Sequence, residues 1–179
     1  PKEATNLITN PSYEYGTATL GTIESAVLGT TSQYQQFGAW SLFCVPSSNG
    51  TSGATLGTYT EAGGVDYAFS AHVRGVNGVP YMLAAANALD EKLGSVAFTG
   101  NGQWQYVVGS YTGLTATSRH LIVRKDGNSN QGTFYVDGAQ LEVGSVSTHI
   151  DGDQAGCAWL GAPHNSQSYR SGQYRGGGS

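Results

Sequence analysis

Short stretches in which apolar and polar residues alternate recur along the chain, separated by residues that favour turns. Alternation with period two is typical of a strand that has one face in a core and the other in water. In the stretch 67–74, Ser70, His72 and Arg74 share the face opposite the apolar one. This strand is therefore expected to present a row of polar groups to solvent.

Several further segments show the same alternation, with glycine-containing turn pairs such as Asn77-Gly78 and Asn101-Gly102 between them. Many short strands with such turns predict an all-β fold, a jelly-roll β-sandwich of two antiparallel sheets. One segment, 81–93, also contains helix-forming alanines, and a short helix is the alternative there. The further predicted strands are 39–45, 81–86, 104–110, 120–125 and 133–136.

The alternation fades after Glu142. Residues 1–143 are therefore predicted to form the sandwich, and residues 144–179 a polar, irregular C-terminal extension or linker. Trp159 lies in this polar stretch, where a large aromatic side chain is expected either to pack back on the domain or to serve a partner. The sequence leaves open whether Cys44 and Cys157 pair.

The amino-acid composition limits both the fold class and the classes of binding partner. Charged residues make up only 11% of the chain and 27 residues are glycine, which favours strands and turns over charged surface helices. A net charge of −4 with scattered Lys and Arg gives no support for a nucleic-acid partner. No apolar run reaches the roughly 18 residues of a membrane span, so no membrane insertion is expected.

The segment 6–16, NLITNPSYEYG, resembles the first strand of the family 4/9-type carbohydrate-binding modules. Later motifs of that family have counterparts in the same order: GAWSL at 38–42, YAFSAHVR at 67–74, Trp104, and FYVDGAQLE at 134–142. The resemblance covers about residues 5 to 143. It implies a galactose-binding-like jelly roll and a non-catalytic carbohydrate-binding function.

The extension carries a second resemblance. Its DGD, GCAWLGAPHNS and SYR motifs, within 151–170, are similar to a segment that follows such sandwiches in bacteriophage tail and other virion proteins. This resemblance implies an extracellular setting on the virion surface. The partners would be a polysaccharide or cell-surface glycan of the host and, in addition, other virion subunits.

Sugar recognition requires flat aromatic faces and planar polar groups on a preformed surface. The predicted ligand contacts are His72 and Arg74 on the polar strand face, Arg124 on the strand 120–125, and the aromatics Tyr81 and Trp159. Tyr15, Tyr34 and Tyr59 are further aromatics free for such a role, whereas Trp40 and Trp104 match motifs whose aromatics fill the family's core.

The family also often holds a structural Ca²⁺ with the acid of the first motif and the aspartate of the last strand. These residues are Glu14 and Asp137 here, and carboxylate oxygens suit Ca²⁺. In the alternative, Glu14 caps a turn and Asp137 accepts turn amides without an ion.

A second metal cluster is weighed at His149, Asp151, Asp153 and His164, but a solvated Asp-Gly-Asp turn is the favoured interpretation. Catalysis is not expected, because no pair of carboxylates and no nucleophile with a base stands out. The scattered carboxylates considered are Glu24, Asp66, Asp90, Glu91, Asp126 and Glu142.

The sequence thus predicts a glycan-binding domain of a phage virion protein that is not an enzyme. One alternative is a structural virion decoration or assembly domain with no sugar ligand. The other is an accessory binding module of a secreted polysaccharide hydrolase.

Overall fold

Strands and turns make up the regular structure of the chain. The computed structural model describes residues 3–18, 20–48, 50–87, 92–127 and 132–171. These residues contain thirteen strands and no helix, so none of them belongs to a helix long and apolar enough to cross a membrane. The strands are β1 Ala4–Asn6, β2 Gly21–Ile23, β3 Val27–Thr31, β4 Ser41–Val45, β5 Gly53–Glu61, β6 Asp66–Arg74, β7 Pro80–Ala86, β8 Lys92–Thr99, β9 Trp104–Thr112, β10 Thr117–Lys125, β11 Phe134–Val143, β12 Cys157–Trp159 and β13 Ser168–Arg170.

Ten of these strands form two five-stranded antiparallel sheets. Sheet I has the order β2-β5-β10-β7-β8, and sheet II has the order β3-β4-β11-β6-β9. The jelly-roll sandwich predicted from the alternation is confirmed. Each predicted strand is present, and the segment 81–86 is strand β7 rather than a helix; residues 88–91 of the helix alternative lie outside the described residues.

The two sheets bury their alternating apolar residues against each other. In β6, Phe69, Ala71 and Val73 are fully buried in this core, as the pattern predicted. In β7, Tyr81 points into the same core, and Leu83 follows it two residues later. Because β7 is covered on both faces, its other residues join a smaller apolar cluster outside sheet I, made of Ile23, Met82, Ala84, Ala86 and Ile122.

The described part of the C-terminal extension, residues 144–171, is mostly irregular but contains two short strands that belong to the fold. Strand β13 pairs with both β1 and β12, which gives a third, three-stranded sheet. Ile150, in the irregular part of the extension, is fully buried. Residues 144–171 therefore fold back on the sandwich.

A single buried side chain, Asn6, joins the first strand, the last sandwich strand and the extension. Its amide donates to the carbonyl oxygens of Ala139 at 3.1 Å and Ile150 at 3.0 Å. Its oxygen accepts from the backbone amides of Ile8 and Leu141, both at 3.1 Å. Four hydrogen bonds satisfy this buried amide completely.

Candidate functional site

A groove with a volume of about 530 Å³ crosses the outer face of sheet II. The floor of the groove is formed by Ser70 and His72, which belong to the polar face of β6 predicted from the sequence. Tyr106 of β9 lies beside His72, because the two residues are cross-strand neighbours. Its remaining walls come from the extension and from the loop that contains Phe37. The lining residues are Phe37, Ser70, His72, Tyr106, Gly138, Val146, Ser147, Thr148, His149 and Gln154.

Two outward-facing residues of β11 hold the extension along one side of the groove. Glu142 accepts hydrogen bonds from the backbone amide of Ser147 at 2.6 Å and from its hydroxyl at 2.8 Å. Gln140 accepts the backbone amide of Ile150 at 2.6 Å. These charge-assisted and buried contacts fix the wall that contains His149.

The opposite wall is fixed by two carboxylates that hold one loop. Asp137 accepts the backbone amides of Gln36 and Phe37, each at 2.8 Å. Glu14 accepts those of Ala39 at 2.7 Å and Trp40 at 2.9 Å. Between the two held pairs, Gly38 has φ of +63°, and a Cβ there would overlap the carboxylate of Glu14. The loop thus presents Phe37 to the groove in one conformation.

The groove is lined by stacked rings. Phe37 stacks on His149 with ring centroids 4.1 Å apart and meets His72 edge-on at 5.1 Å. His72 in turn stacks on Tyr106 at 4.7 Å. Tyr106 is 51% exposed, so one of its faces is open to a ligand.

Both imidazoles of the groove are uncharged near neutral pH. Burial lowers the pKa of His72. The pKa of His149 is lowered to about 4, mainly by burial and also by the unfavourable interaction of a second positive charge with His72 and Arg170. Among the described residues, Nδ1 of His72 and both ring nitrogens of His149 have no hydrogen-bond partner. Such unsatisfied polar atoms are uncommon in native structures and are often explained by a bound partner.

The structure brings two of the five predicted ligand residues to this surface. His72 lines the groove. Arg74 lies two residues further along the same strand face, where its guanidinium sits 4.1 Å above the Tyr34 ring and reaches Gln103 at 3.5 Å. Arg74 therefore shares the outer face of sheet II with His72 but does not line the groove, and its guanidinium is held by an aromatic neighbour.

The other three lie away from the groove. Tyr81 is 1% exposed and its hydroxyl accepts the amide of Val76, so it is a core residue. Arg124 lies on β10 of sheet I, so it cannot join His72 across one sheet as expected. Trp159 packs on Gly152 and donates its indole N–H to Asp153 at 2.9 Å, outside the groove.

Three further aromatic residues differ from their predicted burial. Trp40 was expected in the core but is 42% exposed, and Trp104 is only half-buried on the outer face of sheet II. Tyr59, expected to be free, is buried. Tyr106, Phe37 and His149 were missed, although the alternation of β9 places Tyr106 on the outer face.

The negative charges of Glu14 and Asp137 would favour a cation, but the hydrogen bonds that these carboxylates accept do not form a cation site. The carboxyl of Asp137 has its pKa raised to about 7 by burial, which the amides of Phe37, Gln36 and Gly138 oppose and the charge of Glu14 reinforces. The backbone amides that point at these carboxylates are donors, and a donor offers no lone pair to Ca²⁺. The observed contacts are those of the alternative without an ion, and calcium binding stays a prediction.

The Asp-Gly-Asp segment forms the predicted turn, in which Asp153 is exposed, but Asp151 is only 4% exposed and accepts the hydroxyl of Ser12. The two cysteines are both free thiols. Cys44 lies in the core, where burial raises the pKa of its thiol to about 12.

Two of the carboxylates considered for catalysis are held by hydrogen bonds within the domain. Glu142 is bound to the extension, and Asp66 accepts the hydroxyl of Thr112 at 2.6 Å. Asp90 and Glu91 lie outside the described residues. None of the residues that line the groove is an acid, so the groove itself offers no carboxylate pair.

Solved structures with this fold include several proteins named as carbohydrate-binding modules. The chain superposes on the C-terminal family 22 module of Clostridium thermocellum Xyn10B with a TM-score of 0.58 at 15% identity, over 74% of this chain and 90% of that one. For a family 61 module, TmCBM61, solved with β-1,4-galactotriose, the TM-score is 0.56 at 15% identity, over 76% and 97% of the two chains.

An arabinose-bound α-L-arabinofuranosidase, MgGH51, gives a TM-score of 0.63 at 15% identity over 78% of this chain, which spans only 26% of that enzyme. No protein-family model and no curated protein matches the chain. At these identities the likeness shows the fold, a jelly-roll sandwich of the kind found in carbohydrate-binding modules.

Proposed function

We propose that the chain is a non-catalytic carbohydrate-binding domain whose ligand lies in the groove on sheet II. The observation that carries the proposal is the pairing of an open aromatic face, Tyr106, with the unpartnered nitrogens of His72 and His149. Sugar rings offer C–H faces that stack on aromatic rings, and hydroxyls that both donate and accept hydrogen bonds. An uncharged imidazole has one nitrogen of each kind, which matches a hydroxyl.

The charge of the groove indicates which saccharides fit. None of its lining residues is Lys, Arg, Asp or Glu. A uronic acid or sulfated sugar would lose its hydration there without gaining a counter-charge. The groove therefore favours a neutral polysaccharide or cell-surface glycan over an acidic one.

A binding measurement with matched tyrosine variants tests this proposal. A glycan array of neutral and acidic polysaccharides identifies the ligand, and isothermal titration calorimetry then compares wild type with Tyr106→Ala and Tyr15→Ala. The two tyrosines are 51% and 52% exposed, but only Tyr106 lines the groove. Loss of one stacking contact is expected to weaken binding by about tenfold in Tyr106→Ala, and Tyr15→Ala is expected to bind as wild type. Failure of the folded protein to bind any saccharide would contradict the proposal.

We place the domain on a phage virion surface, in contact with host glycans, on the strength of the resemblance of segment 151–170 to phage tail proteins. In the competing structural role, the same domain contacts neighbouring virion subunits and binds no sugar. Immunogold labelling of purified particles tests the setting. Particles that carry the domain, together with a folded domain that binds no saccharide, would favour the structural role.

The accessory-module alternative has its own support, since the sandwich aligns with 26% of an arabinofuranosidase. In that role the saccharide partner is kept, and the neighbouring domain is a hydrolase instead of a virion subunit. The sequence of the full parent polypeptide separates the two settings.

Calcium at Glu14 and Asp137 is kept as a separate proposal. A cation would offset the repulsion between these two acids that helps to raise the pKa of Asp137 to about 7. Differential scanning fluorimetry in calcium and in EDTA tests it, with Asp137→Asn as the variant. Calcium is expected to raise the Tm of wild type and not of the variant. Equal Tm values of wild type in both buffers would show that the backbone amides suffice.

A further inference from the structure

A second cavity, of about 300 Å³, lies between the first sequence motif and the extension. Glu14, Asp151 and Asp153 contribute three carboxylates to its lining, and His164 contributes an imidazole. None of the described residues that line it is Lys or Arg. Three acidic side chains are therefore concentrated here, and His164 is the one described lining side chain that can carry a positive charge.

Three side chains at this cavity come together in the manner of metal ligands. One ligand atom each from Asp151, Asp153 and His164 lies within 4.8 Å of the others. Nε2 of His164 is 3.1 Å from Oδ2 of Asp153. Around a tetrahedral Zn²⁺ with bonds of about 2.0 to 2.1 Å, neighbouring ligand atoms are about 3.3 Å apart. The Asp153–His164 pair already has about this spacing, and the remaining ligand atoms, up to 4.8 Å apart, would have to move closer around the ion.

Both carboxylates are oriented by further contacts. The indole N–H of Trp159 donates to Oδ1 of Asp153 at 2.9 Å, which leaves Oδ2 on the side of His164. The backbone amide of Asp153 donates to Oδ1 of Asp151 at 3.2 Å, and Ser12 donates to Oδ2 of Asp151. Partners of this kind hold metal ligands in place and keep carboxylates in one orientation.

An independent observation comes from His149, which approaches the cluster from the buried side. Its side chain is 6% exposed, and neither of its ring nitrogens has a hydrogen-bond partner. Its Nε2 lies 3.9 Å from Oδ2 of Asp151. A buried imidazole without a partner is costly, and a cation bound beside Asp151 would give it one.

We propose that Asp151, Asp153 and His164 bind one divalent transition-metal ion, with His149 as a fourth ligand. Two imidazole nitrogens with two carboxylates suit Zn²⁺, whereas Ca²⁺ and Mg²⁺ take oxygen ligands. The ion links residues 149–153 to residue 164 and so fastens the extension against the first motif. The two proposals share His149: the ion takes its Nε2, which leaves Nδ1 of the same ring for the glycan groove.

Calorimetric titration of the tag-free protein, stripped with EDTA and then given ZnCl₂ or CaCl₂, tests the site. One equivalent of Zn²⁺ is expected to bind, with Ca²⁺ much weaker. At free Zn²⁺ 100 times the Kd, the Tm is expected to rise by about 5 to 10 °C. Co²⁺ in place of Zn²⁺ should give the visible absorption of a tetrahedral site. A folded wild type that binds neither Zn²⁺ nor Co²⁺ would overturn the proposal.

Variants locate the ion. Asp153→Asn and His164→Gln are expected to weaken Zn²⁺ binding at least about tenfold. The matched controls Asp126→Asn and His120→Gln, remote from the cluster in sequence and absent from its lining, are expected to bind as wild type. Unchanged affinity in both cluster variants would show that His164 and Asp153 form only an ion pair and would also overturn the proposal.

Discussion

Two polar regions of this domain differ in how completely their buried groups are hydrogen-bonded. At one edge, Glu61 accepts Arg119 Nε at 2.6 Å, the hydroxyl of Tyr111 at 3.2 Å, and the backbone amides of Thr115 at 3.0 Å and Leu114. In the groove on sheet II, by contrast, ring nitrogens of two histidines have no partner among the described residues.

This difference in hydrogen bonding assigns the Glu61 cluster to stability and the groove to the proposed ligand binding. A saturated cluster has nothing left to offer a ligand, so its value lies in stability. An unsaturated one costs stability until a ligand supplies the missing hydrogen bonds. Substitutions in the first region should therefore change folding, and substitutions in the second should change binding.

The largest expected effect is on Arg119. Arg119→Ala leaves the fully buried carboxylate of Glu61 without its charged partner, which is expected to lower the free energy of unfolding by about 3 kcal/mol. Urea denaturation followed by tryptophan fluorescence measures it. Arg124→Ala, on the same strand but without an ion pair among the described residues, is the control and is expected to stay within about 1 kcal/mol of wild type. Equal losses in both variants would contradict the assignment.

The free energy of unfolding should also depend on pH through Glu61. Burial raises the pKa of Glu61, but Arg119 and the amides of Thr115 and Leu114 outweigh it and hold the pKa at about 2, against 4.5 for an ordinary Glu. Because the pKa is depressed on folding, the stabilisation is present above pH 4.5 and is lost as the pH falls towards 2.

The measurement is the difference between two pH profiles of unfolding, for wild type and Glu61→Gln. Arg119, Tyr59 and Tyr111, the charged and titratable groups that face Glu61, keep their protonation in this window. The difference is therefore expected to shrink between pH 4.5 and pH 2. A difference that is constant with pH would exclude Glu61 as the titrating group.

The smallest effect on folding is expected in the groove. His72→Phe keeps a ring against Tyr106 but removes both nitrogens, so the free energy of unfolding should change by less than about 1 kcal/mol. Affinity for the saccharide that binds wild type should fall about fivefold, the value of one hydrogen bond. Calorimetry and urea denaturation on the same sample check both. A variant with lower stability but unchanged affinity would contradict the assignment of His72 to ligand binding.

Much of the fold could be predicted because alternation is a local property. The face that carries Ser70, His72 and Arg74 follows from the period of a single strand. Strand β5 was missed because its glycine, alanine and threonine residues give a weak apolar signal, although seven of its nine residues are buried or nearly so. The buried Tyr81 was misassigned because a tyrosine occurs on both faces of strands. Its position in the alternation of β7, rather than its residue type, decides whether it faces the core or water.

The groove could not be predicted in full, because its walls come from distant parts of the chain. Phe37 reaches it through a loop held by Asp137, 100 residues away. His149 stacks there on Phe37, which lies in the first quarter of the chain. Long-range contacts of this kind leave no periodic signal in a sequence, whereas the floor of the groove does.

The pairing of β1 with β13 also determines how the domain responds to mechanical force. Ala4 lies opposite Arg170, and the two strands run antiparallel away from that pair. Tension applied across residues 4 and 170 would load the Ala4–Arg170 pair first and open the three pairs one after another, as a zipper opens. The three-stranded sheet would separate before the two five-stranded sheets. The force would then act on the hydrogen bond from Asn6 to the carbonyl oxygen of Ile150.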